Sequence, residues 1–416
     1  MERYPKYKDS GIPWLGLIPE HWEMKRAKYM FLKNKRERRP EDEVITCFRD
    51  GQVTLRRNRR TTGFTESEKY DGYQGIRKGD LVIHQMDAFA GSVGVSDSDG
   101  MGTSVYHCCT PLGAYNVYYY AYLIRHMALT GYIQSLYKGI RERSSDFSFP
   151  IFGNQFLAIP PLDEQERIVD YINAKSAKID SYIAEREKEL QVLSELKQSQ
   201  IANAVTRGLD PHAPMKDSGI PWIGMIPKHW DVVKISQLFR ERKEKVSDKD
   251  YPALSVSKQG ITPQLETAVK TDDGDNRKKV CIGDFVVNSR SDRKGSCGVS
   301  QYDGSVSLIN IVLEPREEIC GVYFHHLFRS NDYIEEFYRL GRGIVADLWT
   351  TRYSEMKNIF VPLPPLEERS AIVDFINAKC EQIGCMIAGL ESEVANLKEY
   401  KQRMIADAVT GAICVQ

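Results

Sequence analysis

Sixteen residues near the start of the chain, Lys8 to Glu23 (KDSGIPWLGLIPEHWE), return at Lys216 to Asp231 as KDSGIPWIGMIPKHWD, with twelve identities. A solenoid unit runs about 20 to 50 residues, so a repeat near 200 predicts two whole domains of one design. Further matches run at an offset of 204. Gly79-Asp80 lies over Gly283-Asp284, Gly91 to Ser96 (GSVGVS) over Gly295 to Ser300 (GSCGVS), and Pro160-Pro161-Leu162 over Pro364-Pro365-Leu366. Ile168 to Lys175 (IVDYINAK) lies over Ile372 to Lys379 (IVDFINAK), and Ile201 to Thr206 (IANAVT) over Ile405 to Thr410 (IADAVT). The opening segment repeats at 208, so the second copy has lost four residues between that segment and Gly283. Elsewhere the copies diverge, as in HQMDAFA at His84 to Ala90 against NSRSDRK at Asn288 to Lys294. A kept frame with exchanged loops points to two readers of different targets on a common mount.

Each copy ends in a long stretch without proline, Asp163 to Thr206 and Glu367 to Thr410, behind a Pro-Pro pair that a helix interior does not admit. Apolar residues fall at Ile168, Ile172, Ile179, Ile183, Leu190, Leu193, Ile201 and Val205, and at Ile372, Ile376, Ile383, Ile387, Val394, Leu397, Ile405 and Val409. Steps of mostly four and seven trace the seam of a coiled coil. Some forty helical residues make a rod of roughly 60 Å, and its stripe predicts that the two rods pack on each other. An internal twofold would make them antiparallel, with one globular domain at each end.

The chain is therefore expected to be α+β: a mixed α/β domain over residues 1–160, a spacer helix over 161–210, a second mixed domain over 211–364 and a second helix over 365–416. Within the domains, Asp80 to His84, Asp284 to Asn288 and Ser307 to Leu313 read as strands, and Tyr118 to Leu136 and Gly321 to Tyr338 as helices. The Gly-, Pro- and Trp-rich opening segment fits neither pattern, so Trp14, Trp22, Trp222 and Trp230 are expected to clamp an irregular stretch onto its domain. His21 and His229, each before a Trp, read as packed and hydrogen-bonded.

Composition narrows the function. No apolar run approaches the roughly 18 to 20 residues that span a bilayer, and the start MERYPKYKDS lacks the apolar core of a signal peptide, so a cytoplasmic protein is expected. Nine cysteines without a C-x-x-C spacing read as reduced thiols, with no metal site. The formal net charge is zero but unevenly spread. Residues 1–162 carry 23 basic against 18 acidic side chains and 211–366 carry 22 against 21, whereas the two long stretches are each acidic by three. Phosphate contacts need local basic surface rather than a basic total. No phosphate-binding G-x-x-x-x-G-K-[ST], no G-x-G-x-x-G after a strand, and no Asn or Asp before Pro-Pro and an aromatic is present. A binding module without catalytic residues is expected.

Taken together, the duplicated K-D-S-G-I-P-W-L-G-x-I-P-x-H-W, the I-P-P-L and P-L-P-P-L lead-ins, the E-Q-x-x-I-V-x-x-I at Glu164 to Ile172 and the A-V-T-G ending resemble, over essentially the whole chain, the DNA-specificity (S) subunits of type I restriction-modification systems. The resemblance implies two target-recognition domains, each reading half of a split double-stranded DNA target, and two helices that fix the gap between the halves. It also implies two methyltransferase (M) subunits bringing S-adenosylmethionine chemistry to adenine N6, and two restriction (R) subunits that use ATP and Mg, with no cofactor on this chain. EERSAIV at Glu367 to Val373 departs from the EQERIV of the first copy and bears on how one methyltransferase docks.

The family's base contacts are not fixed motifs, so candidates rest on chemistry. Arg pairs with guanine, and Asn or Gln with adenine, which singles out His84 and Gln85 in one unit and Asn288, Arg290, Arg293 and Lys294 in the other. Next come Arg141, Arg143 and Ser144, with Arg342, Thr351 and Arg352. Arg56, Arg57, Arg59 and Arg60 read as phosphate anchors. Two rivals from other classes are a scaffold whose two heads bind proteins and a lone, diverged methyltransferase.

Overall fold

The computed structural model describes residues 2–59, 70–136, 146–264, 274–316, 320–343 and 349–415. It divides into two compact units, one of Met1–Arg186 with Ser392–Gln416, the other of Glu187–Glu391. Two long helices, Leu162–Arg207 and Leu366–Val409, each contribute one part to each unit. In the first unit Lys401 pairs with Asp180 at 2.7 Å and Arg186 with Glu393 at 3.4 Å, so the first helix rises where the second descends: the pair is antiparallel.

Both units are built on one plan. In the first, an antiparallel sheet runs in the order Phe31–Asn34, Tyr106–Pro111, Leu81–His84, Val93–Val95. The second repeats it as Phe239–Glu241, Asn310–Pro315, Phe285–Asn288, Cys297–Val299. Phe31 faces Pro111 and Phe239 faces Pro315, so across one strand pair the offset changes from 208 to 204. The four missing residues were therefore lost from the connection between Glu241 and Gly283, and the sheet kept its register.

Three sequence expectations change. Tyr118 to Leu136 is two helices, Val117–Leu129 and Tyr132–Ser135, parted by Gly131 at a left-handed φ of 78°. Gly321 to Tyr338 is likewise Gly321–Leu327 and Asn331–Arg339, parted at Ser330, whose hydroxyl donates to the Leu327 carbonyl. The strand expected from Ser307 starts only at Asn310, and Ser307 to Ile309 form the turn before it. The opening segment is more ordered than its composition suggests: Tyr7–Asp9 pairs with Leu17–Pro19, and Met215–Asp217 with Met225–Pro227.

That segment is locked to the head of a long helix by one carboxylate. Glu164 accepts hydrogen bonds from the Tyr4 hydroxyl and from Trp22 Nε1 at 3.1 Å, and its other oxygen meets His21 Nε2 at 2.9 Å. Glu368 takes His229 Nε2 at 2.8 Å and Trp230 Nε1 at 3.0 Å. Both tryptophans are fully buried. The arrangement is closed from the other side by Tyr119, whose hydroxyl donates to the Val409 carbonyl, and by Tyr323, which donates to that of Val205. Each head of one long helix thus shares a core with the tail of the other.

The helix stripe divides accordingly. Ile168, Ile172, Ile179, Ile183, Val394 and Val409 are buried in the first unit's core beside Met404 and Ala408, with Leu397 and Ile405 half-buried. Val205, Ile372 and Ile376 are buried in the second beside Ala204, with Ile201 half-buried. Leu193 and Ile383 are buried, and Leu190 and Ile387 half-buried.

Replacing Glu164 by Ala leaves two buried donors, Tyr4 and Trp22, without an acceptor, at about 1 to 3 kcal/mol for each. Urea unfolding should show Glu164→Ala less stable by about 2 to 4 kcal/mol, with a smaller loss for Glu368→Ala, whose carboxylate takes two donors among the described residues, one of them on the half-exposed His229.

Candidate nucleic-acid interface

The loops in question are aimed by the Gly-Asp pairs. Gly79 and Gly283 turn at φ 89° and 90°, which frees the following aspartate to accept from its own loop: Asp80 from the Arg77 amide at 2.9 Å, Asp284 from the Cys281 amide at 2.8 Å. Each carboxylate also holds an arginine of the neighbouring strand region, Arg36 on Asp80 and Arg242 on Asp284. The strand that follows is fixed at its far end by equivalent bonds, His84 N–H to the Ser92 carbonyl and Asn288 N–H to that of Ser296. A second equivalent pair, Phe147 N–H to Gln85 O and Thr351 N–H to Ser289 O, brings the segment before the long helix against the loop after the strand.

In the second unit these bonds gather most candidates on one surface. Arg342 and Arg290 each bridge to Thr350, and Ser291 N–H donates to the Trp349 carbonyl. Arg342, Arg352, Arg293 and Lys294 are exposed and Arg290 is half-exposed. Several are held by acids: Arg290 by Asp292 at 2.9 Å, Arg293 by the same carboxylate at 3.8 Å, and Lys294 by Glu335 at 2.9 Å. Exposed pairs of this kind contribute about 0 to 1 kcal/mol and exchange readily for a phosphate or base edge. Asn288 is committed in part, accepting from the Arg290 amide. Thr351 is a correction: it is fully buried and its hydroxyl donates to the Phe337 carbonyl, so it holds the surface and does not face outward. The exposed Trp349 and the nearby Lys243 and Lys357 were missed in the sequence, where no pattern links them to the loop.

In the first unit Gln85 donates its amide to Asp146, and His84 packs edge-on against Tyr106 with its Nδ1 accepting from the Asp87 amide. Burial lowers the His84 pKa against the opposing pull of Asp87. Beneath them His107 is buried, its Nε2 against the Phe147 carbonyl at 3.0 Å. The arginine run spends its charge on local acids: Arg57 pairs with Glu43 at 2.8 Å, Arg59 with Asp50 at 2.6 Å while lying over the Phe48 ring, and Arg56 is half-exposed. Arg60, Arg141, Arg143 and Ser144 lie outside the described residues.

The surface offers amides, guanidinium groups, an indole and ammonium groups on loops pinned to a sheet, with the means to bind polar edges and anions. Among the described residues no group of His, Cys, Asp and Glu is arranged to hold a metal ion, and no helix is long and apolar enough to cross a membrane.

No family model matches the chain. A Methanocaldococcus jannaschii protein provisionally named the type I restriction enzyme MjaX specificity subunit is 23% identical over 97% of this chain and 96% of its own length. The type I restriction enzyme EcoBI specificity subunit of Escherichia coli is 24% identical over 70% of this chain and 65% of its own. Among solved structures, a chain from work on complex assembly and conformational transition of the type I R-M system superposes with a TM-score of 0.67 at 17% identity, covering 94% of this chain and 98% of that one. The HsdS subunit from Thermoanaerobacter tengcongensis gives 0.51 at 17% identity, covering 95% and 98%. The resemblance read from the motifs thus holds in sequence, and the solved subunits share the fold.

Three histidines, His107 in the first unit and His325 and His326 in the second, predict acid sensitivity. Burial pushes His107, His325 and His326 down to about 4, whereas an unfolded imidazole takes up its proton near pH 6.5. The unfolded chain binds more protons between those values, so stability is full above about pH 6.5 and falls as the pH drops toward 4. Urea midpoints at pH 7.5 and 5 should show the loss, and His326→Leu, which removes a buried Nε2 without a partner, should flatten it.

Proposed function

We propose that this chain, which shares its sequence pattern and its fold with the type I restriction specificity subunits, is the DNA-reading subunit of such a complex. Each globular unit reads one half of a bipartite target in double-stranded DNA. The long helices set the gap between the halves and dock two adenine-N6 methyltransferase subunits, through which two ATP-dependent restriction subunits join. The chain itself performs no catalysis: S-adenosylmethionine belongs to the methyltransferase, and ATP and Mg to the restriction subunits. The work is cytoplasmic.

One observation carries the reading. The same backbone bonds, repeated at 204 residues, present different chemistry at the same places: Gln85 and Asp146 in one unit, Ser289 and Thr350 in the other. A duplicated frame with exchanged polar loops is what reading two unlike half-sites requires, since base edges are told apart by donor and acceptor pattern. Helices of fixed length suit the gap, because half-sites are read at fixed helical phase, one turn per about 34 Å.

Co-expression with the neighbouring methyltransferase, followed by mapping of modified adenines across a genome, tests this directly. One split motif with a methylated adenine in each half is expected; a folded complex that modifies nothing would move the assignment to a protein scaffold. Arg352→Ala should weaken discrimination at one half-site alone, by about 1 to 3 kcal/mol for a lost base contact, and a uniform loss over unrelated sequences would make it a phosphate contact. Deleting one turn from both long helices should change the accepted gap and leave both half-sites intact, read out by the same mapping.

A further inference from the structure

The turn Ser307 to Ile309 in the second unit exposes aliphatic side chains where polar ones are usual. Leu308 is 40% exposed and Ile309 37%, and both border an open cleft of about 560 Å³ with Lys243, Arg352 and Lys357 around it. The turn is held in place. Asn310 donates from its backbone and from its side-chain amide to the Ser307 carbonyl, and the Ser289 hydroxyl donates to that of Ile309 at 2.5 Å. The aliphatic pair is therefore presented outward by hydrogen bonds on either side of it. Of the lining residues only Glu241 is acidic, and it is shared by Lys278 at 3.2 Å and Lys243 at 3.7 Å, which leaves Arg352 and Lys357 as further cations and Lys243 78% exposed. The cleft is thus cationic at its rim and apolar at one wall.

At the matched positions of the first unit the described residues differ, although Lys35 stands at the place of Lys243. The matched hydrogen bonds put Ser104 and Val105 at the places of Leu308 and Ile309, Asp146 at that of Thr350, and Ser148 at that of Arg352. The exposed Leu-Ile pair, where the first unit has Ser104 and a Val105 packed against its core, is a property of one reader, and a structural need of the shared frame does not explain it.

We propose that this cleft reads a thymine in the major groove, with Leu308 and Ile309 against its C5 methyl group and the surrounding cations on the flanking phosphates. The inference rests on the reading of this unit as a DNA reader and names one base of its half-site. The groove wide enough to admit a protein turn presents one apolar feature among its polar edges, the thymine methyl, and phosphates line both sides of it. Aliphatic side chains flanked by Lys and Arg match that surface. They match an acidic protein poorly, because such a partner would have to satisfy the cations without offering the small apolar contact.

Deoxyuridine differs from thymidine only by that methyl, which makes the test sharp. The complex with its methyltransferase is titrated with the mapped target, each thymine of the half-site weakened by Arg352→Ala being replaced in turn by deoxyuridine. At one or two positions affinity should fall about fourfold, the equivalent of about 0.8 kcal/mol for one buried methyl-sized group. The double variant Leu308→Ala with Ile309→Ala should bind thymine and uracil duplexes alike at those positions, while keeping its discrimination at the other half-site as proof of folding. Native protein indifferent to uracil everywhere would overturn the thymine assignment, as would loss spread evenly over all positions, the mark of a response to duplex shape and stiffness. A complex without sequence-selective DNA binding would instead overturn the reading on which the proposal rests.

Discussion

Everything else in each unit depends on a carboxylate at the head of a long helix. Glu164 stands at the first turn of its helix, and through Tyr4, His21 and Trp22 it fixes the Pro- and Gly-rich opening segment. A carboxylate suits that position twice over, because the helix N-terminus favours negative charge and the two oxygens can serve several donors. With the segment docked, the short strand Glu23–Arg26 pairs with Phe156–Ile159, which leads directly into the helix, and the four-stranded sheet follows. Glu368 does the same for Asp231–Lys234 and Phe360–Leu363. The loops that face outward are thus anchored through the sheet to the same rigid element that would measure the gap.

The two copies are not equally well served. Gln165, next to Glu164, accepts from the Asn116 amide and donates to the Pro160 carbonyl, tying the head of the helix to the capped start of Val117–Leu129. Its counterpart Arg369 is also buried, but a guanidinium only donates, and its Nε and one terminal nitrogen have no partner. Cys320 stands where Asn116 caps, and offers no side-chain cap. Burial lowers the Arg369 pKa, the physical sign of a charge held where water no longer serves it. The change from Glu164-Gln165 to Glu368-Arg369 therefore has a place in the fold, and it makes the second frame the less satisfied one.

Much of the architecture was legible because repetition substitutes for an alignment: residues kept at a fixed offset, such as the Gly-Asp pairs and the Pro-Pro lead-ins, proved to be the frame. The same offset would have exposed Tyr119 and Tyr323, whose bonds to Val409 and Val205 join helix tails to domains, had it been followed through the aromatic stretch. What stayed hidden was pairing at a distance. His21 gives no hint that its partner lies 143 positions away, nor Thr351 that its hydroxyl is turned inward to Phe337. Nor does the arginine run show in sequence that Arg57 and Arg59 stand beside Glu43 and Asp50. Net charge counts residues, whereas a surface is made by what is left after neighbours have paired.

The first unit is closed by the far end of the chain. Its core contains Val394, Met404, Ala408, Val409 and Val415 beside residues of the first 183, and Tyr7 reaches the carbonyl of Gly411. The second unit, residues 187 to 391, is one uninterrupted stretch. During synthesis at about 5 to 20 residues per second, the second unit can complete its core while the first, begun earlier, still lacks the strand of sequence that seals it. The unit begun first is thus the one whose core waits longest for its parts: a chain cut after Glu391 holds the whole of the second unit and lacks the Val394, Met404, Ala408 and Val409 that the first packs around.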